Sequence, residues 1–197
     1  MEVGILALQG DFKEHAEAVS DAGATPRLVK RPEHLEGIAG LVLPGGESTT
    51  LGMLLDSSEL RQPIGKLLFS GLPAFATCAG MILLADSVTD GRPDQETFGT
   101  LDIAVRRNGF GRQLHSFEAE LQVVGLDSPL PAVFIRAPLV ERTGPFVEVL
   151  ATVTVTDQPV PALVRQGATL AAAFHPELTA DRRLHRMFVD LIEKKGP

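Results

Sequence analysis

The chain has 197 residues, 44% hydrophobic and 22% charged, which is ordinary for a globular protein. Its length suits one domain over residues 1–197, large enough to bury roughly 70% of the unfolded surface. A formal net charge of −7 argues against nucleic acid or an anionic membrane as the main partner, and the single cysteine, Cys78, rules out an internal disulfide and suits the reducing cytoplasm.

Residues 1–8 carry no basic flank and are too short to cross a bilayer, so they read as a first buried strand, centred on 3–8. A helix is expected over 12–22, with Phe12, Ala16, Val19 and Ala22 on one face and Gly23 stopping it. Strands follow near 27–30 and 38–43, then helices near 48–55 and 59–69. Leu72-Pro73-Ala74-Phe75-Ala76-Thr77 is a short apolar run opened by proline, and so a buried strand; Met81-Ile82-Leu83-Leu84-Ala85 behind it is helix-forming. From 99 to 165 the pattern changes to short β-like runs at 101–105, 118–124, 132–135, 147–155 and 160–164, divided by glycine and proline. These imply extra antiparallel strands joined to a parallel half. A small apolar strand precedes His175, and Leu184, Met187, Phe188, Leu191 and Ile192 mark a final amphipathic helix. The order predicts an α/β sandwich in three layers, with a mixed, largely parallel central sheet plus extra antiparallel strands. Ligands in such sheets bind at the C-terminal strand ends.

Three of those ends carry candidate chemistry. Cys78-Ala79-Gly80 lies between strand and helix, the setting of a nucleophile elbow, where the helix start offers a backbone N–H to an oxyanion and favours thiolate. A lone cysteine can equally be a small buried hydrophobe. In Phe174-His175-Pro176-Glu177 the proline biases His175 toward an extended backbone, which places Glu177 on the same side two residues on. Glu177 can then hold one ring N–H while the other ring nitrogen faces the thiol, giving a Cys-His-Glu triad. Leu43-Pro44-Gly45-Gly46 leads into a Ser/Thr cluster expected to cap a helix, and paired glycines let a backbone N–H approach a ligand or flip. Alone this is an ordinary turn; beside Cys78 it supplies the second oxyanion donor, near Gly46.

Together these residues resemble the class I, triad-type glutamine amidotransferases, a flavodoxin-like fold. The match is closest to the branch formed by the glutaminase subunits of pyridoxal 5′-phosphate synthase. The strings that carry it are Leu8-Gln9-Gly10 with Glu14-His15, Pro44-Gly45-Gly46-Glu47-Ser48-Thr49-Thr50, Thr77-Cys78-Ala79-Gly80, Arg107-Asn108-Gly109-Phe110-Gly111-Arg112-Gln113 with Ser116-Phe117-Glu118-Ala119, Phe134-Ile135-Arg136-Ala137-Pro138, and Phe174-His175-Pro176-Glu177-Leu178. They span nearly the whole chain in the family's order. Ala76 departs from the glycine usual there, and alanine is small enough for the elbow to survive.

The resemblance implies hydrolysis of L-glutamine to glutamate and ammonia, with Cys78, His175 and Glu177 catalytic and the N–H groups of Gly46 and Ala79 as oxyanion hole. It makes Gly46, Glu47, Ser48, Arg107, Ile135 and Arg136 glutamine contacts, and reads His15 as structural or interface-facing. It also implies a hetero-oligomer with a TIM-barrel synthase subunit that takes up the ammonia. Pyridoxal phosphate is then a pathway product, and no cofactor or metal is expected. Two other readings stay open: another cysteine-triad hydrolase on the same fold, such as a γ-glutamyl peptidase, and a non-catalytic amidotransferase-like subunit. The second class typically loses the cysteine or the histidine, and both are present here.

Overall fold

Val3, Ile5 and Leu6 have no polar side chain and are wholly buried, so the strand that holds them must be covered on both faces. In the computed structural model, which describes residues 1–91, 96–107, 109, 116–155 and 157–195, this is β1 (Glu2–Leu6), followed by α1 (Phe12–Asp21), β2 (Thr25–Val29) and β3 (Gly40–Leu43). Next come α2 (Ser48–Ser57), α3 (Arg61–Phe69), β4 (Ala74–Thr77) and α4 (Ala79–Leu84). Five strands then run in succession: β5 (Ala85–Thr89), β6 (Leu101–Arg106), β7 (Ser116–Leu121), β8 (Leu130–Ile135) and β9 (Leu139–Thr143). The chain closes with β10 (Glu148–Val155), β11 (Gln158–Gln166), β12 (Thr169–Ala172) and α5 (Arg183–Lys195).

The main sheet has the order β10-β11-β12-β4-β3-β1-β2. From β12 to β2 every pairing is parallel, and β11 and β10 add on antiparallel. Its central strands read Gly-Leu-Val-Leu and Ala-Phe-Ala-Thr, all buried, as strands with both faces covered require. Phe75 of β4 meets the rings of His15, His185 and Phe188, so α1 and α5 share that part of the core. α4 packs on β3, β4 and β12. Two smaller sheets, β5-β6-β9 and the hairpin-like pair β7-β8, account for the rest of the segment that reads as β-rich.

The elements follow the expected order, with three corrections. The helix after Cys78 ends at Leu84, and Ala85 opens a strand. β5 and β9, Ala-Asp-Ser-Val-Thr and Leu-Val-Glu-Arg-Thr, are strands of a small sheet with too many polar residues to announce themselves. In α1 the buried residues are His15, Ala18 and Val19, while Phe12 and Ala16 are only partly covered. The inward stripe is 15, 18, 19 and 22, an i, i+3, i+4, i+7 set that includes a histidine. His15 is therefore not interface-facing. Asn108 and residues 110–113 of the glycine-rich string lie outside the described residues.

Phe75 is fully buried at the junction of β4, α1 and α5. Phe75→Ala should cost about 3–5 kcal/mol, read as a lower urea midpoint, because the surrounding rings cannot close the cavity.

Candidate active site

β4 and β12 lie side by side in parallel, with Ala172 opposite Thr77, so both strands end at the same level. The Cys78 N–H donates to the Ala172 carbonyl at 2.9 Å, and the chain then turns abruptly into α4. The turn is strained: Cys78 has φ 48° and ψ −106°, a backbone state that costs a non-glycine residue on the order of 1–3 kcal/mol and occurs mostly at functional sites. Gly80 permits it, since a Cβ there would sit 2.1 Å from the Leu43 carbonyl oxygen. Ala76 pairs normally with Leu43 and Ala171, and the elbow forms despite it.

Three residues past β12, the His175 N–H donates to the Val133 carbonyl at 2.8 Å, tying this end of the chain to β8. Pro176 starts a single 3₁₀ turn, and that turn brings Glu177 back under the ring. Glu177 Oε1 lies 2.7 Å from His175 Nδ1, and both side chains are almost wholly buried. The other face of the imidazole is crowded by the paired-glycine loop, where a Cβ on Gly45 would come within 2.4 Å of His175 Cε1 and 3.4 Å of Cys78 Cβ. Gly45 thus packs against both His175 and Cys78, which line one cavity.

Electrostatics follow from this packing. Burial alone would lower the His175 pKa, but hydrogen bonding to Cys78 and Glu177 and the charges of both raise it to about 10. Burial raises that of Glu177, with the His175 bond and charge pulling the other way. The ring is therefore held as imidazolium beside the sulfur, and the carboxylate orients it.

The cavity in front of Cys78 measures about 210 Å³ and is lined by every expected site residue except the buried Glu177 and Ala79. Drug-sized ligands occupy pockets of about 300–1,000 Å³, so this one suits a molecule the size of an amino acid. A larger apolar cleft of about 460 Å³, with Met1, Leu67, Leu72 and Ile192, opens at the opposite strand ends, and neither cysteine nor histidine lines it.

The loop after β3 is fastened at several points. Gly46 takes φ 144°, and the Glu47 N–H donates to Gln9 Oε1 at 3.3 Å. The cap of α2 is Glu47 and not the Ser/Thr cluster: its carboxylate accepts from the Thr49 N–H at 3.0 Å and the Thr50 N–H at 2.7 Å. Burial works against the charged form of Glu47, yet the Thr49 and Thr50 hydrogen bonds bring its pKa down to about 2. Arg107 donates to the same carboxylate at 2.8 Å and to Thr49 Oγ1 at 3.1 Å. Glu47 and Arg107 therefore reach the cavity already bonded to each other. Arg136, exposed and at φ 42°, makes no side-chain ion pair among the described residues. Ile135 supplies a carbonyl 3.9 Å from Cys78 Sγ.

Asp11 and Ile82 line the cavity without having been expected. Asp11 stands where a helix cap should, makes no side-chain cap bond, and lies 3.6 Å from His175 Nδ1. Ligand atoms of Asp11, His175 and Glu177 fall within 4.8 Å of one another, though a cation there would cost the His175–Glu177 bond.

Residues 5–194 match the model of the SNO glutamine amidotransferase family. This chain belongs to that family. It is 56% identical over 195 residues to pyridoxal 5′-phosphate synthase subunit PdxT of Frankia alni, covering 98% of this chain and 96% of that one. The subunit of the same name from Mycobacteroides abscessus is 54% identical over 190 residues, with 96% of each covered. A solved structure described as a glutamine amidotransferase superposes with a TM-score of 0.89 at 49% identity, over 97% of this chain and 98% of that one. One described as a glutamine amidotransferase of Thermotoga maritima has a TM-score of 0.61 at 16% identity, over 99% and 85%, a likeness of fold alone. No helix among the described residues is long and apolar enough to cross a membrane.

Two expectations follow. Gly45→Ala should push the imbedded ring of His175 aside and slow alkylation of Cys78 by iodoacetamide on the order of tenfold or more, since the thiol loses its cationic neighbour. Stability should peak near neutrality. Burial holds His15 neutral, its pKa well below 6.5, and holds His185 neutral down to about 3. Below pH 6.5 the unfolded chain therefore binds protons that the folded one refuses, and stability drops. His175 acts oppositely: its raised pKa gives stability that is complete below pH 6.5 and lost as pH climbs toward about 10. Urea midpoints from pH 5 to 10 should trace that maximum.

Proposed function

We propose that the chain is the glutaminase subunit of a pyridoxal 5′-phosphate synthase, a single-domain enzyme of the cytoplasm. The observation that carries this is that Cys78, on a strained elbow, shares one cavity with an imidazole already bonded to Glu177, in a member of a glutamine amidotransferase family. His175, which holds the shared proton as imidazolium, leaves Cys78 as thiolate, and the thiolate attacks the side-chain amide carbon of glutamine. The N–H groups of Ala79 and Gly46 receive the oxyanion. His175 then protonates the leaving nitrogen, ammonia departs, and water cleaves the γ-glutamyl thioester to glutamate. Glu177 keeps the ring in one tautomer and stabilises its cation.

The substrate is held by the Gly46-Glu47-Ser48 loop, Ile135 and the two arginines. Arg107 shares its charge with Glu47, which leaves Arg136 as the better partner for the α-carboxylate. Ammonia in neutral water is mostly ammonium, so its use requires delivery to a second active site. The relatives named as synthase subunits support a partner subunit in that role, which in this reading is a TIM-barrel synthase subunit bound in a hetero-oligomer.

In the complex, Cys78→Ala should abolish glutamate release while leaving the fold intact, and Glu177→Gln should lose on the order of 10²–10⁴ in rate. If the Gly45–Gly46 peptide turns its N–H inward only on docking, adding synthase subunit should raise kcat by about 10²–10³, the worth of one oxyanion donor. A Cys78→Ala protein that still releases glutamate overturns the reading.

A further inference from the structure

Behind the triad lies a buried chain of polar groups that the reaction above does not use. Glu177 has a second carboxylate oxygen, Oε2, which lies 3.3 Å from Nε2 of His15 on α1, an ion-pair distance without hydrogen-bond alignment, so Oε2 has no hydrogen-bond partner among the described residues. The same Nε2 is 3.1 Å from Oγ1 of Thr77, the residue before the nucleophile. His15 Nδ1 in turn lies 3.0 Å from Nε2 of His185 on α5. His15, Thr77 and His185 are wholly buried, Glu177 is 3% exposed, and the rings of both histidines stand edge-on to Phe75.

The proton positions on these rings follow from one charge. An ionised carboxylate accepts only, so attraction at Oε2 requires hydrogen on His15 Nε2, shared with the Thr77 hydroxyl oxygen. Nδ1 of His15 is then an acceptor, and His185 must carry its hydrogen on Nε2 to donate to it. His185 Nδ1 is left as a bare lone pair, and it has no partner among the described residues. The opposite arrangement points a His15 lone pair at the carboxylate and buries an unpaired N–H at His185, which is the costlier orphan.

We infer that His15 is a positioning residue of the active site: its Nε2–H fixes the far oxygen of Glu177 and ties it to Thr77, while His185 locks the His15 tautomer. The inference rests on the triad reading. Glu177, hydrogen-bonded to His175 through Oε1 and attracted at Oε2 by the Nε2–H of His15, resists swinging away from His175 Nδ1, and the position of the ring relative to Cys78 is set from two elements remote in sequence. Both outer histidines are neutral, as the arrangement demands: burial and the neighbouring His185 and His175 lower the His15 pKa, and burial and Arg182 lower that of His185 to about 3, against the pull of Asp21. The remaining charge near Glu177 is Asp11, which raises its proton affinity.

Glutamine and asparagine separate the two ring nitrogens of His15. The amide of His15→Gln reaches the place of Nε2 and keeps a donor to Glu177; that of His15→Asn reaches the place of Nδ1 and leaves Oε2 bare. In glutaminase assays of the full chain with synthase subunit, His15→Asn should lower kcat about tenfold with little change in KM. The acid limb of its pH profile should move to higher pH, because the carboxylate keeps its proton longer. His15→Gln should recover most of the rate and the wild-type limb. Equal activity of His15→Asn and wild type, or equal impairment of both variants with an unshifted limb, overturns the inference and leaves the triad standing. A wild-type complex that releases no glutamate overturns both. Should neither His15 variant fold, His185→Gln against His185→Asn makes the same comparison one bond further out, and identical pH profiles for that pair refute the proposal.

Discussion

The parallel pairing of β4 with β12 is the constraint on which the site depends. One register, Ala172 against Thr77, decides that Cys78 and the His-Pro-Glu turn leave the sheet at a common height. Shifting it by one residue would turn the side chains of one strand to the opposite face and part Phe75 from His15, His185 and Phe188. The Cys78 N–H bond to Ala172 locks that level at the last residue before the turn. The small residues of β12, Leu-Ala-Ala followed by Ala173, let neighbouring elements approach closely enough for the side chains beyond to touch.

Burial does two different things to charge here. It would strip His175 of its proton were the sulfur and the carboxylate not beside it, and it succeeds with His15 and His185, which have no such pair of anions. Three histidines within a few ångströms thus divide into one cation and two neutral links. What separates them is which group each ring nitrogen meets, not depth.

Much of this was legible in the residues, for identifiable reasons. Central parallel strands are continuous apolar runs, and the two that end in Cys78 and His175 were visible because polar residues follow them abruptly. β5 and β9 were not, since small-sheet strands with polar faces lack both alternation and apolar content. The cap of α2 was misplaced: the Ser/Thr cluster looked like the cap, but Glu47 before it accepts from the Thr49 and Thr50 N–H groups. His15 was seen and set aside, because the apolar residues Phe12 and Ala16 drew the helix face away from it. The better stripe, 15, 18, 19 and 22, was available, but its meaning depends on a partner 170 residues away.

The loop that holds Gly46 touches the segment after β1 through very little. A Cβ on Gly10 would lie 1.8 Å from the Gly45 carbonyl oxygen, so the two backbones abut with no side chain between them. Across that contact the Gln9 side-chain oxygen takes the Glu47 N–H. Backbone on backbone leaves no rotamer to absorb a displacement, so a shift at Gly10 of about a few tenths of an ångström passes to the loop. The segment after the first strand, which lies outside the triad, is thus coupled mechanically to the paired-glycine loop beside Cys78.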